Sequence, residues 1–366
     1  MRALSVLLTL RLASPLPNIV VVVADDLGFG GVSWAPAGDL LTPALDALRQ
    51  ESVLLSSYYA YKFCSPSRAS LLTGRFPYKT ESTRNNLIPY SQEEGVNLNF
   101  TFLPARLKAA GYATHGVGKW HQGLWQLPFT PTRRGFDSFR GFLAGGQDHF
   151  TQDSFGECGC SQKDMWGDGA VNATGENEYN AFRFTARAVE VIEAAAAAPA
   201  PLFLYVALQN VHAPIEADPS FSRKYPNVKY SLRRSWNAMV STMDSSVGNI
   251  TAALKRAGLR RCNFLVVIHP HAVAVVAVRL LSAATLQQVV QGRSAHPLLR
   301  DFVVEIGRSA CLNVQSEVPQ RSPRVVGNRE VHALRAGKGR AHPRSECRPP
   351  VHVQGGRGGG LHFKGR

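Results

Sequence analysis

A chain of 366 residues with 45% hydrophobic content has a globular composition and enough apolar mass for one large domain or two ordinary ones. Its formal net charge of +15 is uneven: residues 259–366 carry 17 Lys and Arg against 5 Asp and Glu, whereas residues 1–258 carry 24 against 21. That distribution argues against nucleic-acid binding by a basic face of the whole chain, and no uninterrupted apolar run reaches the roughly 18 residues that a membrane span needs.

Residues 1–13 offer Arg2, a short apolar run and then Arg11 with small residues, the outline of a minimal secretory signal peptide. Sequons at Asn99, Asn172 and Asn249 fit the same route. Six cysteines are too few to build a disulfide scaffold of this size, and Cys158 and Cys160, in a glycine-rich loop, are expected to pair with other cysteines. Residues 18–24, Asn-Ile-Val-Val-Val-Val-Ala, form a β-branched run expected to be a strand buried on both faces of a parallel or mixed sheet. It ends in Asp25 and Asp26, beyond a strand's carboxyl end, where open α/β sheets bind ligands. Thr42 and Pro43 open a short helix as N-cap and N1 residues, with Leu45 and Leu48 inward.

The stretch 64–75, Cys-Ser-Pro-Ser-Arg-Ala-Ser-Leu-Leu-Thr-Gly-Arg, concentrates the chemistry. Pro66 suits a first helical turn and Gly74 a C-terminal stop, so Cys64 stands at a helix N-terminus with Arg68 one turn on. Exposed N–H groups and a guanidinium at one spot suit a sulfate or phosphate group. Residues 103–110 are expected to be a helix closed by Gly111, and 112–117 a strand that delivers Gly-Lys-Trp-His-Gln-Gly at 118–123. Extended alternation would put Lys119 and His121 on one face. Residues 140–177 are glycine-rich and carry no regular expectation. Residues 180–198 are expected to form a helix with Phe184, Val191 and Ile192 inward, and 201–208 a buried strand that leads into the segment 209–214 carrying His212. Residues 230–257 show the helical period through Trp236, Met239, Val240, Met243, Val247, Ile250 and Leu254, capped by Gly258.

Cys-x-Pro-Ser-Arg with Thr-Gly-Arg, and then Gly-Lys-Trp-His-Gln-Gly, resemble the two signatures of the type I sulfatases. The resemblance implies an alkaline-phosphatase-like α/β fold, a large mixed, mostly parallel sheet flanked by helices. It implies that Cys64 is oxidised to formylglycine in the endoplasmic reticulum by a formylglycine-generating enzyme. Asp25 and Asp26, with residue 64, would be ligands of one calcium ion, and Arg68, Lys119 and His121 would contact sulfate. His212 would protonate the leaving group of a sulfate-ester substrate, an aryl sulfate or a sulfated glycan. The expected location is the secretory pathway, secreted or lysosomal. Residues 132–139, 201–214 and 239–258 look most like the arylsulfatase B branch, which acts on N-acetylgalactosamine 4-sulfate esters. A phosphoester or phosphonate hydrolase on the same scaffold and a non-catalytic binder of sulfated glycans are the alternatives.

Three segments are expected: residues 1–16 as a signal peptide from their charge and apolar pattern, 17–268 as the partial catalytic domain that the resemblance covers, and 269–366 as a basic, poorly ordered tail outside it. After a strand at 264–268, His269-Pro270 stands where the family continues with two further cation ligands, and a later sulfate-contacting lysine has no counterpart. With 15 arginines to 2 lysines after residue 258, the break is read as an altered reading frame or a mis-spliced end in preference to a polyanion-binding arm.

Overall fold

The computed structural model describes residues 16–36, 38–55, 60–80, 94–155, 161–168, 170–171, 177–259, 263–268 and 276–278. The expected signal segment before residue 16, the sequon at Asn172, Cys158 and Cys160 with their expected disulfides, and nearly all of the basic tail lie outside them.

Eleven strands are described: β1 (Asn18–Val23), β2 (Val53–Leu55), β3 (Ala113–Lys119), β4 (Ser138–Phe142), β5 (Asp153–Phe155), β6 (Ser161–Lys163), β7 (Trp166–Gly167), β8 (Ala170–Val171), β9 (Leu202–Ala207), β10 (Asn263–Ile268) and β11 (Val276–Val278). The helices are α1 (Pro43–Gln50), α2 (Cys64–Thr73), α3 (Leu103–Ala109), α4 (Asn180–Ala195), α5 (Pro219–Ser222) and α6 (Ser231–Arg256). Seven strands make one sheet in the order β10-β1-β9-β3-β4-β7-β8. The five from β10 to β4 are parallel and the last two antiparallel. β11, three residues from the stretch expected to be a tail, pairs antiparallel with β2.

The sheet is the middle of three layers, and β1 shows why. Val20 and Val22 belong to a core with α1, α4 and α6, through Leu45, Phe184, Ile192, Met239, Val247 and Ile250. Ile19, Val21 and Val23 point the other way, into a core with Ala69 and Leu72 of α2, Leu107 of α3 and the rings of Phe102, Trp120, Phe136, Phe139, Phe203 and Tyr205. A strand with helices on both faces must be apolar at every position, which is what the valine run supplies. Each such side chain, once buried, contributes roughly 1.5–3 kcal/mol of transfer free energy. Because β1, β9 and β3 run parallel, the residues that follow their carboxyl ends, Asp25, Gln209 to His212 and Trp120 to Gln122, gather at one edge of the sheet.

Two local expectations change. Thr42 does not cap α1 with its side chain; its Oγ1 accepts from the Ser33 N–H at 2.9 Å. The cap comes instead from Asp244 of α6, whose carboxylate accepts from the N–H groups of Ala44 (3.1 Å) and Leu45 (2.7 Å). Burial pushes the Asp244 carboxyl up to about 6, against the two N–H donors that lower it. A carboxyl whose folded pKa lies above its unfolded value binds its proton more tightly when folded, so this group's contribution to stability is present at low pH and is lost as pH rises through about 4 to 6. In denaturant titrations the stability advantage of the parent over Asp244→Asn is therefore expected to be larger at pH 4 than at pH 7. An unchanged difference would show that Asp244 titrates normally. The second change is α4, which ends at Ala195 and not at residue 198.

Candidate active site

Asp25 is fully buried one residue beyond β1's last valine and its neighbour Ala24. Its backbone is pinned by two hydrogen bonds to the segment after β9, Asp25 N–H to the Asn210 carbonyl (2.8 Å) and Val211 N–H to the Asp25 carbonyl (2.5 Å). Its side chain is held from both sides by cations: Arg68 Nη2 to Oδ1 at 2.9 Å and Lys119 Nζ to Oδ2 at 2.5 Å. All three side chains are 0 or 1% exposed. Burial by itself drives the Asp25 carboxyl upward, but the charges of Lys119, Arg68 and His212 outweigh it and hold it far below the usual carboxylate range. Desolvation likewise opposes the Arg68 charge, and Asp25 more than restores it. The result is a dry cluster of two cations and one anion, one positive charge in excess.

Cys64 is the first residue of α2 and buried, with Phe63 in extended conformation before it. It stands one helical turn before Arg68, on the same side of α2. Arg68 spends its other terminal nitrogen on the Tyr205 hydroxyl (3.3 Å) and the Lys119 carbonyl (3.4 Å). Its Nε–H is buried and has no partner among the described residues. Cys64 is thus a small, buried residue at a helix start.

Lys119 closes β3, and the extended alternation expected of 119 and 121 does not continue past it: Gly118 and His121 take φ of +93° and +54°. Trp120, anchored by its Nε1–H on the Phe129 carbonyl (2.9 Å), fills the aromatic core between them. His121 is tied to the α2 start by Gln122, whose side-chain amide donates to the Ser65 carbonyl (3.0 Å) and the His121 carbonyl (2.5 Å). The His121 ring rests on Gly145, where an added Cβ would meet it at 2.7 Å. His212 sits likewise on Gly146, where a Cβ would meet its ring at 3.1 Å. Its Nδ1–H donates to the Ala213 carbonyl at 2.6 Å, and its Nε2 is 3.7 Å from Oδ2 of Asp26. Asp26 is more open, 39% exposed, with φ of +56°.

Six residues outside the sequence expectations complete the neighbourhood: Gln122, Tyr205, the Gly145-Gly146 pair under the two imidazoles, Asp164 and His149. Asp164 accepts from the N–H groups of Leu143 (3.1 Å) and Ala144 (2.8 Å) and from Trp166 Nε1 (2.8 Å), and so fixes the tract leading to Gly145. The Gly-Gly doublet and, for Gln122, its place in the 118–123 hexapeptide were the available signals.

A calcium ion finds an incomplete donor set here. Both oxygens of Asp25 are engaged by cations, and no group of three or more His, Cys, Asp or Glu that could hold a metal occurs among the described residues. A hard divalent cation takes six to eight oxygen ligands, so the described residues do not fit a complete calcium site.

The family model described as Sulfatase matches residues 17–272. Mouse arylsulfatase J is 38% identical over 245 residues, 66% of this chain and 40% of that protein. Mouse N-acetylgalactosamine-6-sulfatase is 34% identical over 267 residues, 68% of this chain and 49% of that protein. Among solved structures, Ps i-CgsB in complex with k-i-k-neocarrahexaose superposes with a TM-score of 0.64 at 30% identity, over 70% of this chain and 58% of that one. The chain thus spans less than half the length of these curated relatives.

Proposed function

The chain belongs to the sulfatase family, and from that premise we propose that it hydrolyses sulfate esters at the cluster around Cys64, with Cys64 converted to formylglycine on the secretory route. The observation that carries the reading is the buried Asp25–Arg68–Lys119 triad set against the start of α2. A surplus positive charge in a water-excluded site, facing a helix N-terminus, favours a bound anion and favours still more the charge that develops on it as a bond to sulfur breaks.

Formylglycine at position 64 would supply, as its hydrate, a nucleophile that carries its own release: one hydroxyl would displace the alcohol from sulfur, and deprotonation of the other would re-form the aldehyde and expel sulfate. The remaining work falls to side chains. Arg68 and Lys119 hold sulfate oxygens, and the unused Nε–H of Arg68 is a donor left for one of them. Asp25 keeps both cations aimed. His121, locked on Gly145, adds a third contact to the ester. In His212 the Nδ1–H is committed to the Ala213 carbonyl, so Nε2 is the nitrogen that holds the proton for the departing oxygen. Divalent cation binding at Asp25 and Asp26 remains what the resemblance implies, and none of these roles depends on it. The natural substrate class we infer is a sulfated glycan, with aryl sulfates as reporters.

The test is mass spectrometry of the Cys64 peptide from secreted protein, together with turnover of 4-nitrophenyl sulfate. The expected result is an aldehyde or its hydrate at position 64 and turnover that disappears in Cys64→Ala. Unmodified cysteine without turnover overturns the reading.

A further inference from the structure

His149 lies in the glycine-rich tract after Gly145 and Gly146, is fully buried, and takes no part in the roles above. Its Nε2 is 3.1 Å from the backbone carbonyl of His212. A carbonyl oxygen only accepts, so Nε2 carries hydrogen and donates. The ring's other nitrogen, Nδ1, is buried with no hydrogen-bond partner among the described residues. Adding a proton there would bury a charge and an unsatisfied donor together, which fixes the neutral Nε2–H tautomer.

The imidazole is clamped. It stacks on Tyr179 with ring centroids 5.3 Å apart and planes 13° from parallel. The Tyr179 hydroxyl donates to the Glu216 carbonyl at 2.8 Å, and the Glu216 carboxylate accepts from the His149 N–H at 3.0 Å. The His149 carbonyl in turn accepts from Asn180 N–H at the start of α4 (2.9 Å). Helix α4, the 148–149 tract and the loop from His212 to Glu216 are therefore joined at one residue, His149, whose backbone bonds Glu216 and Asn180 and whose ring bonds the His212 carbonyl.

We propose that His149 is a positioning residue for His212: by donating Nε2–H to the His212 carbonyl it fixes the 212–213 peptide, and with it the Ala213 carbonyl that holds the His212 ring. The order of dependence is short. The His212 ring is oriented by Nδ1–H on the Ala213 carbonyl. That carbonyl belongs to the peptide following the one His149 grips. Releasing the grip lets this backbone turn, and the ring loses its fixed tautomer and aim. The inference rests on the reading of His212 as the leaving-group acid, but its geometry stands without it.

Two variants separate hydrogen bonding from packing. His149→Phe keeps a ring against Tyr179 and removes the donor; His149→Gln keeps an N–H at the place of Nε2. Long-range proton–nitrogen correlation spectra of histidine-labelled protein report tautomers without any turnover. In alkaline buffer, where the imidazole is neutral, the expected pattern is pure Nδ1–H for His212 in the parent, a mixture of tautomers in His149→Phe, and recovery in His149→Gln. An unchanged His212 signal in His149→Phe, or a Gln variant as disturbed as the Phe variant, overturns the proposal. Kinetics give the second reading: a misplaced acid matters most for a poor leaving group. His149→Phe is expected to lower kcat for an alkyl sulfate roughly 10-fold more than for 4-nitrophenyl sulfate, whereas equal losses on both mean that His149 serves structure alone and overturn the proposal. If the parent turns over neither ester while the tautomer pattern is as expected, the hydrolase reading fails and the positioning role stands.

Discussion

Asp25→Ala is expected to destabilise the protein by about 3–5 kcal/mol, the scale for removing one partner of a buried ion pair. Asp25 is the anion shared by Arg68 and Lys119, both of them 0 or 1% exposed. Its loss leaves two buried cations facing each other with nothing between them, and neither can reach water without opening the edge where β1, β9 and β3 end. Lys119→Met should cost less, because it removes one of the two cations and leaves the Arg68–Asp25 pair whole. The double variant Asp25→Ala with Lys119→Met should be less destabilised than the sum of the two, since the methionine removes one of the orphaned charges. Denaturant unfolding of the three variants gives the coupling directly. A loss below about 1 kcal/mol for Asp25→Ala, the scale of an exposed pair, would mean that water or an ion reaches the triad. Turnover of 4-nitrophenyl sulfate should vanish in Asp25→Ala and Lys119→Met alike, because the first leaves the cations unaimed and the second removes one.

What was legible in the sequence follows the range of the interactions concerned. β1 is written in consecutive valines, α2 in Pro66 and Gly74, and α6 in an apolar residue every third or fourth position; each signal is local, and the structure places those elements within a residue or two. Lys119 and His121 were found as a pair, but the geometry between them was not, because the backbone leaves the extended region at Gly118 and again at His121. The cap of α1 was invisible for a different reason: Asp244 stands 200 residues from Ala44, and nothing near either names the other. The same holds for the neighbourhood of the histidines. Gly145, Gly146, His149 and Asp164 fall in a stretch without period or propensity, and their use is defined by the backbone of Leu143 and the carbonyl of His212, which only the folded sheet brings to them.

Gly118→Ala is the substitution expected to do most damage per atom added. Gly118 lies in β3 opposite Ala207 of β9 and Gly141 of β4, in the middle of three parallel strands. A Cβ built there would stand 1.9 Å from the Ala207 carbonyl oxygen and 2.7 Å from its carbon, both backbone atoms of a fully buried strand that has no room to retreat. The residue also has φ of +93°, outside the range that side chains favour. Gly111 separates these two costs. It has nearly the same φ, +92°, with nothing within 4 Å of its added Cβ, so Gly111→Ala should lose only the torsional part, about 1–2 kcal/mol. Gly118→Ala must add a displacement of β9 from β3, and that displacement moves Lys119, the next residue, away from Asp25. Against a total stability of about 5–15 kcal/mol for an ordinary domain, the expected outcome is loss of soluble folded protein, or a folded remnant in which the triad is broken. Equal thermal unfolding of the Gly111 and Gly118 variants would show that the strands can part at little cost, and the close approach of β3 to β9 would then not be what holds Lys119 against Asp25.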